Sequence, residues 1–481
     1  MIRNTRRDFL QRTLETATLG MAGLSLLETS EAEPRTIRRT GANDKVHLAV
    51  IGLNGRGMDH IAGYIGRSDV EIVALCDPDM NVLERAQAAV EKKGKARPVG
   101  YQDIRKLLAD KSVDAVSIAT PNHWHSLAGI WAMQQGKDVY VEKPVSHNVH
   151  EGRVLVETSR KTGRICQAGT QSRSHKACQD AIEYIHSGKI GKVTLSRGLC
   201  YKPRTSIGKT TEALPIPPGV NYDLWLGPAP MKPILRRKFH YDWHWFWDYG
   251  NGDLGNQGIH QMDIARWALG KKSLPNSVLS VGGRFGYVDD GETPNTEISF
   301  FDYGDAQLIF EVRGLKTEGY QGASIGNIIH GTEGYIVITS NYGKAAAFDN
   351  KDVKVAEFSG AGDHFGNFID AVKARKREML KGEILEGHLS SALCHLGNIS
   401  YRLGEFSHYD PAAKTFGDNK ELVETLERFD LHLRNNDVKL DEIQYRVGPK
   451  LQIDAKRETF KNSLEANALL TREYREGFVV K

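Results

Sequence analysis

The sequence predicts an α/β chain in two parts. A doubly wound parallel sheet comes first, then an α+β domain built on an open, mainly antiparallel sheet. Three observations carry this prediction. An apolar run meets a glycine cluster in His47-Leu48-Ala49-Val50-Ile51-Gly52-Leu53-Asn54-Gly55-Arg56-Gly57-Met58. Apolar runs then alternate with helical patterns as far as residue 164, the rhythm of strands joined by crossover helices. Beyond residue 190 the apolar runs are separated by short turns instead, which join neighbouring strands antiparallel.

Taken in order, residues 1–43 stand apart from the fold. Thr5-Arg6-Arg7-Asp8-Phe9-Leu10-Gln11 has the form of a twin-arginine export signal. A weakly apolar stretch over 17–27 and a small-residue cleavage site at Ser30-Glu31-Ala32 follow it. That stretch is too short for a stable membrane span. The expectation is a protein exported folded to the periplasm, with no membrane span after signal removal. The 481-residue chain has a net charge of +4, with acids and bases interleaved, and losing residues 1–32 leaves it at +4. Such a balance offers no footprint for nucleic acid or an anionic membrane surface. The cysteines (Cys76, Cys166, Cys178, Cys200, Cys394) are odd in number and widely spaced, so no disulfide framework or thiolate metal site is written there.

The first strand, its glycine turn and the helix after it make an anion site, because unpaired amides and the positive helix end both favour phosphate. Read as G-x-G-x-x-G, the positions are Gly52, Asn54 and Gly57, so the middle glycine is missing. Asn tolerates left-handed dihedrals better than most residues, and Gly55 sits beside it. The next strand, over 71–76, ends at Asp77, at the fingerprint's usual spacing of about 20 residues. A carboxylate there accepts hydrogen bonds from a ribose diol and repels a 2′-phosphate, which selects NAD over NADP. Helices are predicted over 80–92 and 104–109. A buried strand over 115–120 then runs into Pro121-Asn122-His123-Trp124-His125 at the carboxyl edge of the sheet, where ligands bind. A helix over 126–135 and a strand over 138–141 lead into Glu142-Lys143-Pro144.

The run from Val50 to Gly57, Asp77, Ala119-Thr120-Pro121-Asn122-His123-Trp124-His125 and Glu142-Lys143-Pro144 resemble, in order and spacing, the Gfo/Idh/MocA (glucose–fructose oxidoreductase / inositol dehydrogenase) family. The resemblance implies a Rossmann NAD-binding domain over 44–165 and a substrate and oligomerisation domain over 166–410, with homo-oligomers formed through the second sheet. It implies that Lys143 lies between nicotinamide and substrate and that the bond to Pro144 is cis. The cofactor-binding set it implies is Gly52, Asn54, Gly55, Arg56, Gly57, Asp77, Thr120, Pro121, Asn122, His125, Glu142, Lys143 and Gln171.

In the second domain a helix is predicted over 176–187. Strands are predicted over 193–201, 277–285, 296–303, 306–312, 325–330 and 335–339, with a hairpin turn at Phe301-Asp302-Tyr303-Gly304-Asp305-Ala306. Helices over 365–373 and 388–403 return to the core. An extension over 411–481, with a helix near 421–435, packs on the second domain; its charged end has no assignment.

The chemistry concentrates in residues 239–269. Trp243, Trp245, Trp247 and Tyr249 read either as a platform for sugar rings or as core packing. A single helix over 254–269 places Asn256, His260 and Asp263 on one face, with Asp253 either its N-cap or an acid. The family usually shows Asp-x-x-x-His here, and the resemblance implies His260 as general acid/base oriented by the first residue. Here that residue is Asn256, which can hold a ring but cannot stabilise imidazolium by charge. A less basic His260 follows, or a charge borrowed from Asp253 or Asp263. His240-x-x-x-His244 and His123-x-His125 also have zinc-compatible spacings; the reading adopted contains no metal. The leading expectation is an oxidoreductase moving hydride between NAD and a secondary hydroxyl of a sugar or cyclitol, with a bound, recycled cofactor. The alternatives are an NAD-retaining glycosidase working by transient C3 oxidation and elimination, and a non-catalytic sugar-binding protein.

Overall fold

The computed structural model describes residues 45–339, 342–408 and 419–481. The expected signal and linker over 1–43 and the expected boundary at 410–411 lie outside the described residues. Six parallel strands form the first sheet: β1 (Val46–Ile51), β2 (Val70–Cys76), β3 (Val99–Tyr101), β4 (Ala115–Ile118), β5 (Asp138–Val141) and β6 (Cys166–Ala168). Their spatial order is β3-β2-β1-β4-β5-β6. The order reverses between β1 and β4, so a crevice opens at the carboxyl ends of those two strands. Alternate residues of β1 serve opposite cores. Ala49 and Ile51 pack with Val116 and Leu127, while Leu48 and Val50 pack with Ile61 and Tyr64. Burial on both faces explains why these strands read as unbroken apolar runs.

The second domain is one large sheet. Its main strands are β7 (Val193–Tyr201), β8 (Ser277–Gly283), β9 (Thr296–Asp302), β10 (Gln307–Arg313), β11 (Ile325–Gly331), β12 (Gly334–Ile338), β13 (Lys344–Asp349) and β14 (Lys354–Ser359). They run β14-β13-β12-β11-β7-β10-β9-β8, and every neighbouring pair is antiparallel except β7 with β10. The strands β13 and β14 go beyond those read from the sequence.

Alternation along β10 divides the two faces of this sheet. Leu308, Phe310 and Val312 pack against the buried helices Gly258–Ala268 and Ile384–Arg402. On the opposite face Leu195, Ile298, Phe300 and Ile309 meet Leu422, Leu426, Phe429 and Leu433 of the helix Lys420–Arg434. Burial by itself would raise the Glu311 carboxyl on that face, but Arg428, Arg313 and Arg197 hold it down at about 2. Arg428 Nη2 and Nη1 donate to its two oxygens at 2.8 Å each, which locks the helix to the sheet.

Two elements join the domains. The helix Ile384–Arg402 is buried along nearly its whole length, with Ile384 in the first core and Leu389, Leu393 and Leu396 in the second. The C-terminal end, unassigned from sequence, returns to the first domain. Phe478 and Val480 enter its core, Phe478 lying edge-on to Trp124, and Arg475 pairs with Asp223. No helix among the described residues is long and apolar enough to cross a membrane.

Candidate active site

The crevice begins where β1 ends. Gly52 has φ +79°, and a Cβ there would lie 2.7 Å from the Thr120 amide nitrogen. A Cβ on Gly57 would come 1.9 Å from the Gly52 carbonyl oxygen, so the first helical turn packs on the strand only with glycine present. The middle of the fingerprint departs from expectation. Asn54 is not among the left-handed residues; Gly55, at φ 57°, takes that conformation and has open space around it. The helix Arg56–Ile65 starts there with no side-chain cap, leaving its first amides for an anion. A second uncapped start, at Pro121 before the helix Asn122–Gln134, lies on the same crevice, four residues earlier than the helix expected from sequence.

Asp77 follows β2 and is only 6% exposed. Its Oδ2 accepts the Leu53 amide at 2.8 Å and its Oδ1 accepts the Asp79 amide at 3.0 Å. Burial nevertheless pushes its carboxyl up to about 6. Asp79 in turn holds His240 Nε2 at 2.9 Å, and this contact ties residues of the second domain over the crevice.

The result is a cleft of about 310 Å³. Gly52, Asn54, Gly55, Arg56 and Asp77 line one end, with Thr120, Pro121, Asn122 and His125 along one wall. Glu142, Lys143 and Asn256 also line it, together with Leu224, Trp225, His240, Tyr241, Trp243 and His244. Gly57, Gln171 and His260 are not among the lining residues. Gln171 reaches the site indirectly, accepting from Arg56 Nη2 at 2.6 Å.

The Lys143–Pro144 bond is cis. Lys143 Nζ donates to the backbone carbonyl of Asn256 at 2.9 Å. Burial lowers its pKa; Glu142 opposes that, while Arg56 and Lys202 add to it. Glu142 accepts from Arg56 Nε at 2.8 Å, and His60 Nε2 lies 3.1 Å from the same oxygen. Burial works against ionisation of Glu142, but Arg56, His60 and Lys143 outweigh it and hold the carboxyl well below the usual range. His60 escaped sequence reasoning, although its spacing from Arg56, one helical turn on, was a legible cue. His125 braces the same loop, with its ring nitrogens 2.6 Å from the Pro144 carbonyl and 2.7 Å from that of Thr120.

The expected continuous helix over 254–269 is broken. A short turn covers Gly252–Gly255, the backbone departs from the helix at Asn256 (ψ −78°), and a new helix starts at Gly258. Asn256 and His260 therefore do not share a helical face, and it is the Asn256 backbone that engages Lys143. His260 is 7% exposed, its ring lies against Tyr342, and its Nδ1 is buried without a partner among the described residues. Burial pulls it down to about 3, with Lys143 adding to the shift.

Neither candidate lender of charge touches His260. Asp263 is clasped by Arg173 through Nε and Nη2 at 2.7 and 2.8 Å. Asp253, which is not the N-cap, is clasped by Arg204 at 2.8 and 2.6 Å.

Much of the aromatic segment is core packing. Trp225, Phe239, Trp243 and Tyr249 form one core, with Arg236 over three of those rings, while Trp243 also reaches the cleft. The zinc-like spacings do not converge. His123 Nε2 meets the Trp225 carbonyl and His240 meets Asp79, and no group of three metal-capable side chains occurs among the described residues.

Comparison with known proteins bears on this geometry. Residues 46–170 match the family model "Oxidoreductase family, NAD-binding Rossmann fold", and residues 179–433 match "Oxidoreductase family, C-terminal alpha/beta domain". A glycosyl hydrolase family 109 protein of Saccharopolyspora erythraea is 31% identical over 207 residues, 40% of this chain and 45% of that one. An uncharacterized oxidoreductase of Rhizobium meliloti is 31% identical over 186 residues, 38% of this chain and 54% of that one. The chain thus matches about half the length of these curated relatives.

Among solved structures, a levoglucosan dehydrogenase in complex with NADH and L-sorbose superposes with a TM-score of 0.57 at 16% identity, covering 74% of this chain and 96% of that one. The WlbA dehydrogenase from Bordetella pertussis, in complex with NADH and UDP-GlcNAcA, gives 0.55 at 18%, covering 73% and 95%. At such identities the likeness is one of fold. With the second model alone spanning more than half of the 481 residues, the chain belongs to the Gfo/Idh/MocA oxidoreductase family.

Proposed function

We propose that the protein is an NAD-dependent oxidoreductase acting on a secondary hydroxyl of a sugar or cyclitol, in the periplasm after twin-arginine export. The observation that carries this reading is one continuous cleft. It is lined by the uncapped Gly55 turn, by Asp77 and by Lys143 together. The residues present fit a dinucleotide. Gly55 has open space around it at the cleft, two uncapped helix starts face the cleft, and the Thr120 hydroxyl is buried there without a partner among the described residues. Asp77 would hold the adenosine ribose and disfavour a 2′-phosphate. When bound, the cofactor supplies the two-electron acceptor.

The chain supplies the rest. Lys143, held by the Asn256 carbonyl, presents its remaining protons to the reacting oxygen and steadies negative charge there. Glu142, ionised and fixed by Arg56 and His60, keeps that ammonium charged against its burial. Self-association through the second sheet is part of the proposal. It would use strands other than the part of β7–β10 already covered by the helix Lys420–Arg434.

One observation favours a second reading. The 31% identical relative named as a glycosyl hydrolase supports a cycle in which oxidation at C3 is transient, elimination cleaves the glycosidic bond, and the cofactor ends unchanged. Incubating the purified protein with a panel of oligosaccharides and analysing products by mass spectrometry separates the two. A keto-sugar is the expected product of the leading reading. Free reducing sugar without net NADH would establish the glycosidase instead, and neither product would sink both.

A further inference from the structure

The cleft lining includes both histidines of the His240-x-x-x-His244 spacing, and His240 is already taken by Asp79. We propose that His244, not His260, accepts the proton of the reacting hydroxyl; this rests on the reading that the cleft is a dinucleotide-dependent active site. His244 sits in the turn Asp242–Trp245 and lines the cleft together with Lys143 and Asn256. Its Nδ1 lies 2.5 Å from the Tyr241 carbonyl oxygen. A carbonyl can only accept, so Nδ1 carries the hydrogen and Nε2 keeps the lone pair. None of the described residues hydrogen-bonds to that Nε2. The ring is stacked on Trp243, with centroids 3.7 Å apart and planes at 20°, which fixes where the lone pair points.

Burial and the charges around the ring keep it in the neutral form. Burial lowers its pKa to about 3, the Tyr241 carbonyl opposes this, and Lys143, Arg204 and Lys202 add to it. Asp253 neutralises Arg204 through the paired contact described above, and Lys202 donates to Gln257 Oε1 at 2.9 Å. His244 is thus held as a neutral imidazole whose Nε2 is free to accept. His260 is neutral too, but it is off the cleft lining, with Nδ1 enclosed.

In the proposed step the substrate O–H bond breaks and its proton moves to His244 Nε2. The oxygen keeps the electron pair, which becomes the second C–O bond as the adjacent C–H pair leaves to the nicotinamide acceptor named above. Lys143 stabilises the charge on that oxygen in between.

Diethylpyrocarbonate, which acylates accessible neutral imidazole, tests the placement without a known substrate. Peptide mapping of the intact protein should show His244 acylated and His260 untouched. Saturating NAD should slow acylation at His244 about tenfold or more, as occupancy of the cleft removes free sites. Acylation and protection of His260 with His244 inert would overturn the proposal. A failure of NAD to bind in a parallel fluorescence titration would instead overturn the dinucleotide reading, while the unprotected labelling pattern still reports which ring is open. With a turned-over sugar in hand, His244→Gln should lose ~10²–10⁴-fold in kcat with NAD affinity unchanged, the range for a lost general base. Full activity of a folded His244→Gln protein would remove the residue from proton transfer.

Discussion

A Lys143→Ala protein should fold and bind dinucleotide but turn over on the order of 10³-fold more slowly than wild type, about 4 kcal/mol of lost transition-state stabilisation. The fold should survive because the side chain makes a single hydrogen bond, to the Asn256 carbonyl, and because an ammonium whose pKa burial has lowered is not a source of stability. The thermal midpoint should therefore move little. Lys143→Arg should not rescue the rate, since a planar fork cannot replace a compact ammonium in so enclosed a place. In the proposed mechanism the cationic form acts, so activity should fall as pH rises through the lowered pKa. The basic limb should then lie below the ordinary lysine value of ~10.4. Rates, dinucleotide affinity by fluorescence and a melting curve check this together. Near-normal turnover in the folded variant would take Lys143 out of the mechanism.

The second large effect belongs to Asp77. Its folded pKa is raised to about 6, so the carboxylate proposed to favour NAD and repel a 2′-phosphate is fully formed only above that pH. The preference for NAD over NADP should accordingly be widest near pH 8 and narrow as pH falls through 6. The 2′-phosphate also titrates near ~6, so Asp77→Asn provides the control. It should show a weak preference whose remaining pH dependence is that of the phosphate alone. In the cofactor-free protein the same shift has a stability consequence. The unfolded chain releases this proton first, so the contribution of Asp77 declines as pH rises from about 4 to 6. Isothermal titration with both dinucleotides at several pH values measures the ratio directly. Equal or tighter binding of NADP by the wild type at pH 8 would show that Asp77 does not read the ribose.

What was legible in the sequence was local. The strand–glycine–helix order at 47–58, the position of Asp77 and the run Glu142-Lys143-Pro144 each depend on neighbours within a few residues, and the structure assembles them at one crevice. The error at Asn256 was also local and avoidable. Gly255 and Gly258 fall inside the span predicted as one helix, and each glycine weakens a helix by ~1 kcal/mol relative to Ala. Treating Asn256 and His260 as one face ignored that cue, and with it went the pairing of His260 with the cleft. Other features had no local signal. That Arg204 claims Asp253, that Arg173 claims Asp263, and that Phe478 returns to pack beside Trp124 are consequences of chain segments meeting across long separations. The amphipathic spacing of Leu422, Leu426, Phe429 and Leu433 announced a helix but not the sheet face it would cover.

The account turns on a nicotinamide dinucleotide occupying the cleft between Gly55 and Lys143. Denaturing the purified protein and identifying what it releases by mass spectrometry, alongside titration of NAD into any cofactor-free fraction, tests this most directly. The account predicts NAD or NADH, released or taken up at one site per chain, with uptake abolished when Gly52→Val fills the turn. A protein that releases no dinucleotide and binds neither NAD nor NADP would contradict it.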